Sequence, residues 1–393
     1  MMAENKSTGA KTSDLTAYRK KRKQKQFYKN LVIASAVLVA VIFISANFST
    51  IIEPLRGIAS RIETKTTEDV GFPIKLPGSA TYSFDSFGDN FLLLTDTYLY
   101  TFGINGGQHY ALMHGYSNPN RCSNAKRILL YDKDYSEFSL YSSASVIYSA
   151  SVEEKIIFAS LSGNETAALV TNSDRYSNII YIYDGNGEWK YTRKFLNENV
   201  MNVEFSADER YIYVSAIGVE DGDIYSVVYK YDITTDEGSA VWSYKLSRSS
   251  LPVRMNVSGG KVRVVYDNFA LSLNENDGSV CGEKELTGTV QCCDFSGSRT
   301  GVICLDSATN RRVLNILDND MNSLCAKAVS PNINRIIADG DNMYIVESGM
   351  VHGFDSKAEI IAEKTLKEDY VSFVKIGNSV LLLGYDSVDI EEL

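Results

Sequence analysis

Histidine is almost missing from this chain of 393 residues: His109, His114 and His352 are the only three. That leaves little material for a His-rich metal site or a proton relay. His109 and His114 are five apart on a predicted strand, so they point to opposite faces and make a poor metal pair. Cysteine is scarce too, at six residues, which excludes a disulfide scaffold. No Cys-x-x-Cys spacing occurs, so a zinc site is not expected. Tryptophan occurs twice, at Trp189 and Trp242. There is no Gly-x-x-x-x-Gly-Lys-Ser/Thr loop and no Gly-x-Ser-x-Gly elbow, which removes P-loop enzymes and serine hydrolases. Beyond residue 70 no stretch sustains a 3.6-residue period, so almost no helix is expected there.

The net charge of −10 averages two unlike regions. Residues 1–30 carry nine basic side chains and two acidic ones, a balance of +7; the remainder carries −17. So acidic a bulk argues against a nucleic-acid binder. Between the two regions, residues 31–52 contain no charged residue at all. As a helix, 22 residues span roughly 33 Å, enough to cross a hydrocarbon core. Leu31, Val32, Ile33, Val37, Leu38, Val41, Ile42, Phe43 and Ile44 make up its apolar body. Arg19, Lys20, Lys21, Arg22, Lys23, Lys25 and Lys29 lie directly before it, where they fix topology and contact anionic lipid. By the positive-inside rule the N-terminus is cytoplasmic and the bulk extracytoplasmic. A cleaved signal peptide is the rival reading; the long preceding tail and the length of the apolar core favour an uncleaved signal anchor. The expected organisation is a basic cytoplasmic tail at 1–30, a single-pass anchor at 31–52, a linker at 53–70 and one extracytoplasmic domain at 71–393.

That domain reads as all-β. Short apolar runs rich in Tyr, Val, Ile and Phe alternate with turns of Asp, Asn, Gly and Ser. Lining up the runs exposes a repeat near 40 residues, with turn residues at Gly88, Asp208, Gly260, Gly297, Gly340 and Gly377. Each unit holds four strands, the pattern of a propeller blade. The expected blades are 80–114, 115–151, 155–195, 200–246, 252–286, 289–329 and 332–366. Residues 370–393 supply only three strands, and an open edge invites aggregation. Gly71–Leu76 can supply the fourth and close the ring. That gives eight blades, with seven the alternative because 115–151 is irregular. The run Asp318-x-Asp320-x-Asn322 imitates a calcium loop, but Ser323 and Val329 break the pattern, so it reads as hairpin chemistry.

Gly185-x-x-x-Trp189 and Gly238-x-x-x-Trp242 occupy the same place in consecutive blades, and Gly278-x-x-x-Gly282 keeps the spacing without the Trp. These turns resemble the quinoprotein-type (PQQ-like) propeller repeat. The resemblance implies that Trp189 and Trp242 pack between blades. The order of tail, anchor and propeller is similar to a domain-of-unknown-function family of single-pass surface proteins in Gram-positive bacteria. It also resembles the lipoprotein propeller that scaffolds outer-membrane assembly, although no lipobox Cys stands near the anchor. The resemblance implies place and fold and supplies no activity.

The expected function is a non-catalytic binding, scaffold or sensor module at the cell envelope, without cofactor or metal. Its partner would be a protein or an envelope component. The longest irregular loops offer the binding residues: Tyr116, Asn118, Asn120 and Arg121, then Arg175 and Tyr176, then Glu220 and Asp221. The alternative is a quinoprotein-like or glycan-processing enzyme with carboxylates gathered at the channel mouth. Five of the six cysteines fall in two adjacent blades; a bridge from Cys292 or Cys293 to Cys304 competes with six buried thiols.

Overall fold

A computed structural model describes residues 62–63, 71–76, 82–143, 145–235, 238–331, 333 and 335–393. The basic tail, the uncharged segment 31–52 and nearly all of the linker lie outside them. Among the described residues no helix is long and apolar enough to cross a membrane, and the regular structure is all strand.

Eight antiparallel sheets, the blades, follow one another. Blade 1 is Ser83–Phe87, Asn90–Leu94, Tyr98–Gly103 and Gln108–Met113. Blade 2 opens at Pro119–Ser123, blade 3 at Ile156–Leu161, blade 4 at Asn199–Phe205 and blade 5 at Pro252–Ser258. Blades 6, 7 and 8 open at Thr289–Phe295, Ile336–Asp339 and Ser372–Ile376. These opening strands ring a central channel. All predicted blade frames hold, including the irregular second one.

Blade 8 takes its fourth strand from the other end of the chain. Ile74–Lys75 pairs with Ser387–Glu392, with Ile74 opposite Val388 and Lys75 opposite Ser387. The Leu76 N–H donates to the Asp386 carbonyl at 2.8 Å. Ile74 and Leu76 bury themselves beside Phe84, Phe91, Val374 and Leu381. The ring is thus closed by side-chain burial as much as by backbone pairing.

Second strands are apolar on both faces because a neighbouring blade covers each face. Ile128–Asp132 and Ala167–Thr171 are buried at every position. Fourth strands sit at the rim, so Val146–Ser151 and Ile360–Thr365 revert to alternation or exposure. The turns carry the chemistry read from the sequence. The Asp318 carboxylate accepts the N–H groups of Asp320 at 2.9 Å and Asn322 at 2.8 Å. Asp184 and Asp355 do the same for residues two and four further on. At Asp318 these bonds are those of an Asx turn, the hairpin chemistry expected there. All six cysteines are unbridged.

One packing expectation needs correction. Trp242 docks onto blade 5 as implied: its ring covers Gly278, where a Cβ would stand 2.6 Å from the indole, and its Nε1–H donates to the Glu275 carbonyl at 3.2 Å. Trp189 does not dock; it is 61% exposed. The cause is a bulge. Ile182 pairs with Tyr191 but Tyr183 pairs with Trp189, so Lys190 is an extra residue and Trp189 turns to the opposite face. The residue that packs toward blade 4 is Tyr191, buried among Ile180, Ile182 and Tyr231. The true frame is therefore Gly187-x-x-x-Tyr191. Gly106-x-x-x-Tyr110 is another copy, in which the Tyr110 hydroxyl donates to the Ser142 carbonyl in the turn of blade 2 at 3.2 Å. Tyr148 of blade 2 lies on Gly187 in the same way. At Gly282 the aromatic is lost for a reason: a Cβ there would meet the Asp320 carbonyl oxygen at 1.9 Å.

Candidate functional site

Antiparallel order puts the blade-to-blade connections and the second-to-third strand connections on one face, opposite the tight turns. That loop face collects most of the predicted binding residues. Arg175 and Tyr176 lie in the second-to-third connection of blade 3, with the Lys194 ammonium 5.3 Å from the Tyr176 ring centre. Glu220 and Asp221 lie at the tip of the same connection in blade 4. Asn118 lies between blades 1 and 2, where its N–H donates to Asp132 at 2.7 Å. Three expected loop residues serve the fold instead. Tyr116 is buried, with its hydroxyl 2.9 Å from the Ser139 hydroxyl. Asn120 and Arg121 lie within the inner strand Pro119–Ser123 and not in a loop.

The dominant feature of the loop face is the blade 4 hairpin, Tyr211–Glu220 with Asp223–Asp232. The inner strand pairs with it only as far as Ile217. Three further residues on each arm therefore overhang, by roughly 10 Å at 3.3 Å per residue. Asp221 and Gly222 both take positive φ, 53° and 92°, as a two-residue hairpin turn of the favoured hand requires. Val219 and Ile224 pair across the overhang. Alternation aims them toward blade 5, while Tyr225 faces the other way and donates to Glu198 at 3.0 Å. The Ser226 hydroxyl donates to the Ser250 carbonyl, which ties the connection from blade 4 to blade 5 to the base of the overhang. Val219, Ile224, Leu251 and Val253 are 66%, 44%, 42% and 44% exposed. Asp221 and Asp223 form an acidic rim, Glu220 pairs with Lys245, and a cleft of about 610 Å³, lined also by Arg248, runs between the hairpin and residues 246–249. Val219 and Ile224 thus form an exposed apolar pair on the overhang that no blade covers, which marks a candidate contact surface.

The channel is lined by charge. From blade 1, Asp85 holds Arg121 of blade 2 at 2.9 Å and Arg335 of blade 7 at 3.0 Å. Arg335 also donates to the Phe84 carbonyl and the Ser372 hydroxyl. This cluster spans four blades where the ring closes. Further round, Arg254 meets Asp294 at 2.7 Å, and Lys375 meets Asp339 at 3.0 Å. These groups bound a cavity of about 360 Å³. Burial pushes the thiols of Cys292 and Cys293, in the cavity wall, up to about 11 and about 12, so neither is an activated nucleophile. Among the described residues no cluster of His, Cys, Asp and Glu is placed to hold a metal ion.

Glu204 differs from the other channel carboxylates: it has no hydrogen bond or ion pair within the described residues. Burial pushes it up to about 7, and the nearby Arg254 only partly opposes this. The carboxyl thus binds its proton more tightly folded than unfolded, and its contribution to stability is present at low pH and lost as pH rises through 7. Glu204→Gln is expected to raise stability by about 1–3 kcal/mol at pH 8 and to change little at pH 4. Melting midpoints at the two pH values check this; an equal shift at both would refute it.

The class of protein follows from these features: an eight-bladed β-propeller with a charged channel and one apolar overhang on its loop face. Residues 63–393 match DUF5711, a family of unknown function, and the chain belongs to that family. No curated protein matches it. Among solved structures, it is similar to BamB from Moraxella catarrhalis, at 12% identity and TM-score 0.56, covering 84% of this chain and 100% of that one. Sqt1 of Saccharomyces cerevisiae matches at 10% identity and TM-score 0.62, over 84% and 100%. A dihydro-heme d1 dehydrogenase, NirN, matches at 10% and 0.56, over 79% and 78%. Likeness at this identity carries the fold and nothing finer.

Proposed function

We propose that this chain is a membrane-anchored, extracytoplasmic binding module that holds a protein partner at its loop face and performs no catalysis. The observation that carries the reading is the blade 4 overhang, with Val219 and Ile224 paired across it and exposed. Packing inside the ring does not need these three extra residues on each arm. Asp221 and Asp223 at the tip favour a partner segment that is apolar with a basic flank. The uncharged run at 31–52 and the basic residues before it support the anchor and its orientation. In the channel Asp85, Asp294 and Asp339 are each engaged by a cation, which supports a structural role for these three carboxylates.

Crosslinking in intact cells with the full-length chain tests the reading. Val219→Ser with Ile224→Ser is expected to reduce capture of a reproducible partner by about tenfold, or about 1.4 kcal/mol, while the melting midpoint stays put. Undiminished capture by the double variant would remove the overhang from the interface. External protease on intact cells tests the orientation, since a cytoplasmic propeller would survive it.

A further inference from the structure

Trp189 is a large aromatic that the fold does not use. The bulge at Lys190 turns it away from blade 4, and Tyr191 takes over the packing. It is nevertheless held in one pose, because its Nε1–H donates to the Thr192 hydroxyl at 2.9 Å. The register places Tyr183 opposite Trp189 and Tyr181 opposite Thr192, so the three aromatics share one face of blade 3. With Ser151, Val152, Glu153 and Lys194 they line a groove of about 710 Å³. That volume lies within the usual range for small-ligand sites, about 300–1,000 Å³.

We infer that this groove is a saccharide-binding site, separate from the loop-face patch, for a neutral pyranose chain. A sugar ring presents C–H groups on its faces and hydroxyls around its edge. It therefore needs flat aromatic walls with polar groups at their margins. Trp189, Tyr181 and Tyr183 supply the walls, and none of the three is stacked on another. Neither the Tyr181 nor the Tyr183 hydroxyl has a hydrogen-bond partner within the described residues, so both phenols are available to a ligand. Glu153 adds acceptors and Lys194 adds donors, and their opposite charges cancel, which favours a neutral ligand over a polyanion. A peptide added as a strand would pair with the backbone edge of Trp189–Phe195 and leave this side-chain face unfilled.

The test uses the full-length chain in detergent and three probes: chitotetraose, maltotetraose and cellotetraose. At least one is expected to bind saturably and shift tryptophan emission to the blue, since Trp242 is already buried and Trp189 reports alone. Trp189→Ala is expected to weaken that binding by about tenfold or more, and Trp189→Phe by less. The exposed indole lies outside the core, so melting should not change. Val219→Ser with Ile224→Ser should bind the sugar normally, which separates this site from the loop-face partner. No binding by any of the three probes at about 10 mM, or binding indifferent to Trp189→Ala, would overturn the assignment.

Discussion

Replacing Ile74 and Leu76 together with aspartate should open the ring. Both side chains are buried against blades 8 and 1. Truncating one buried Ile or Leu typically costs about 2–5 kcal/mol, and burying a carboxylate costs more. Two such changes exceed about 5 kcal/mol, comparable with the whole stability of many domains. The consequence is more than a lower melting midpoint. With Ile74–Lys75 displaced, Ser387–Glu392 becomes an unpaired edge strand, and an exposed edge recruits other chains. The expected result is a large drop in melting midpoint together with oligomers on size exclusion. Lys75→Asp is the control, because Lys75 points to solvent. A double variant that melts like the parent and stays the same size would mean that the ring does not depend on this strand.

Arg263→Leu should be nearly as damaging. Arg263 is fully buried and has no carboxylate partner. Its guanidinium instead donates to neutral oxygens from two blades. These are the Asn256 side chain at 2.6 Å, the Ser258 hydroxyl at 2.7 Å and the carbonyls of Ser296 at 2.5 Å and Arg299 at 3.0 Å. The Phe295 ring lies 5.3 Å from it. Burial without a counter-charge lowers its pKa to about 10, which still leaves it charged at neutral pH. Leucine would leave those buried acceptors unsatisfied, at a total of about 3–5 kcal/mol. Lysine should rescue little, because one ammonium cannot reach acceptors spread around a planar fork. A melting midpoint for Arg263→Leu within a degree or two of the parent would show that the two blades do not depend on this hub.

Both effects bear on what was legible before any coordinates. The closing strand was legible, because residues 370–393 hold three strands and Gly71–Leu76 is the nearest short apolar segment outside the repeat. The Asx turns were legible, because Asp318, Asp184 and Asp355 act on backbone groups within four residues of themselves. The packing aromatic was legible in blade 4 and misread in blade 3. Gly185-x-x-x-Trp189 and Gly187-x-x-x-Tyr191 differ by two residues, and spacing alone does not reveal the bulge that chooses between them. Tyr110, four residues after Gly106, was the available clue. Arg121 looked like a loop residue because it follows a polar stretch, yet its partner Asp85 is 36 residues away in the chain, and Asp85 is shared with Arg335, a further 214 residues on from Arg121. Nothing local marks Arg263 as buried, because two of its acceptors, the carbonyls of Ser296 and Arg299, belong to the next blade.

By itself the sequence determined the strand-and-turn repeat, its period near 40, the closing segment, and the charge split around an uncharged run of 22 residues. All of these are local or periodic properties, set by burial pattern and turn chemistry within one unit. The tertiary structure alone decided that the ring has eight blades and not seven, which charges meet in the channel, which aromatic packs and which is left over, and that Val219 and Ile224 stand beyond the inner strand's pairing. Those relations join residues from different blades, and they depend on bulges and ring geometry that composition and spacing do not encode.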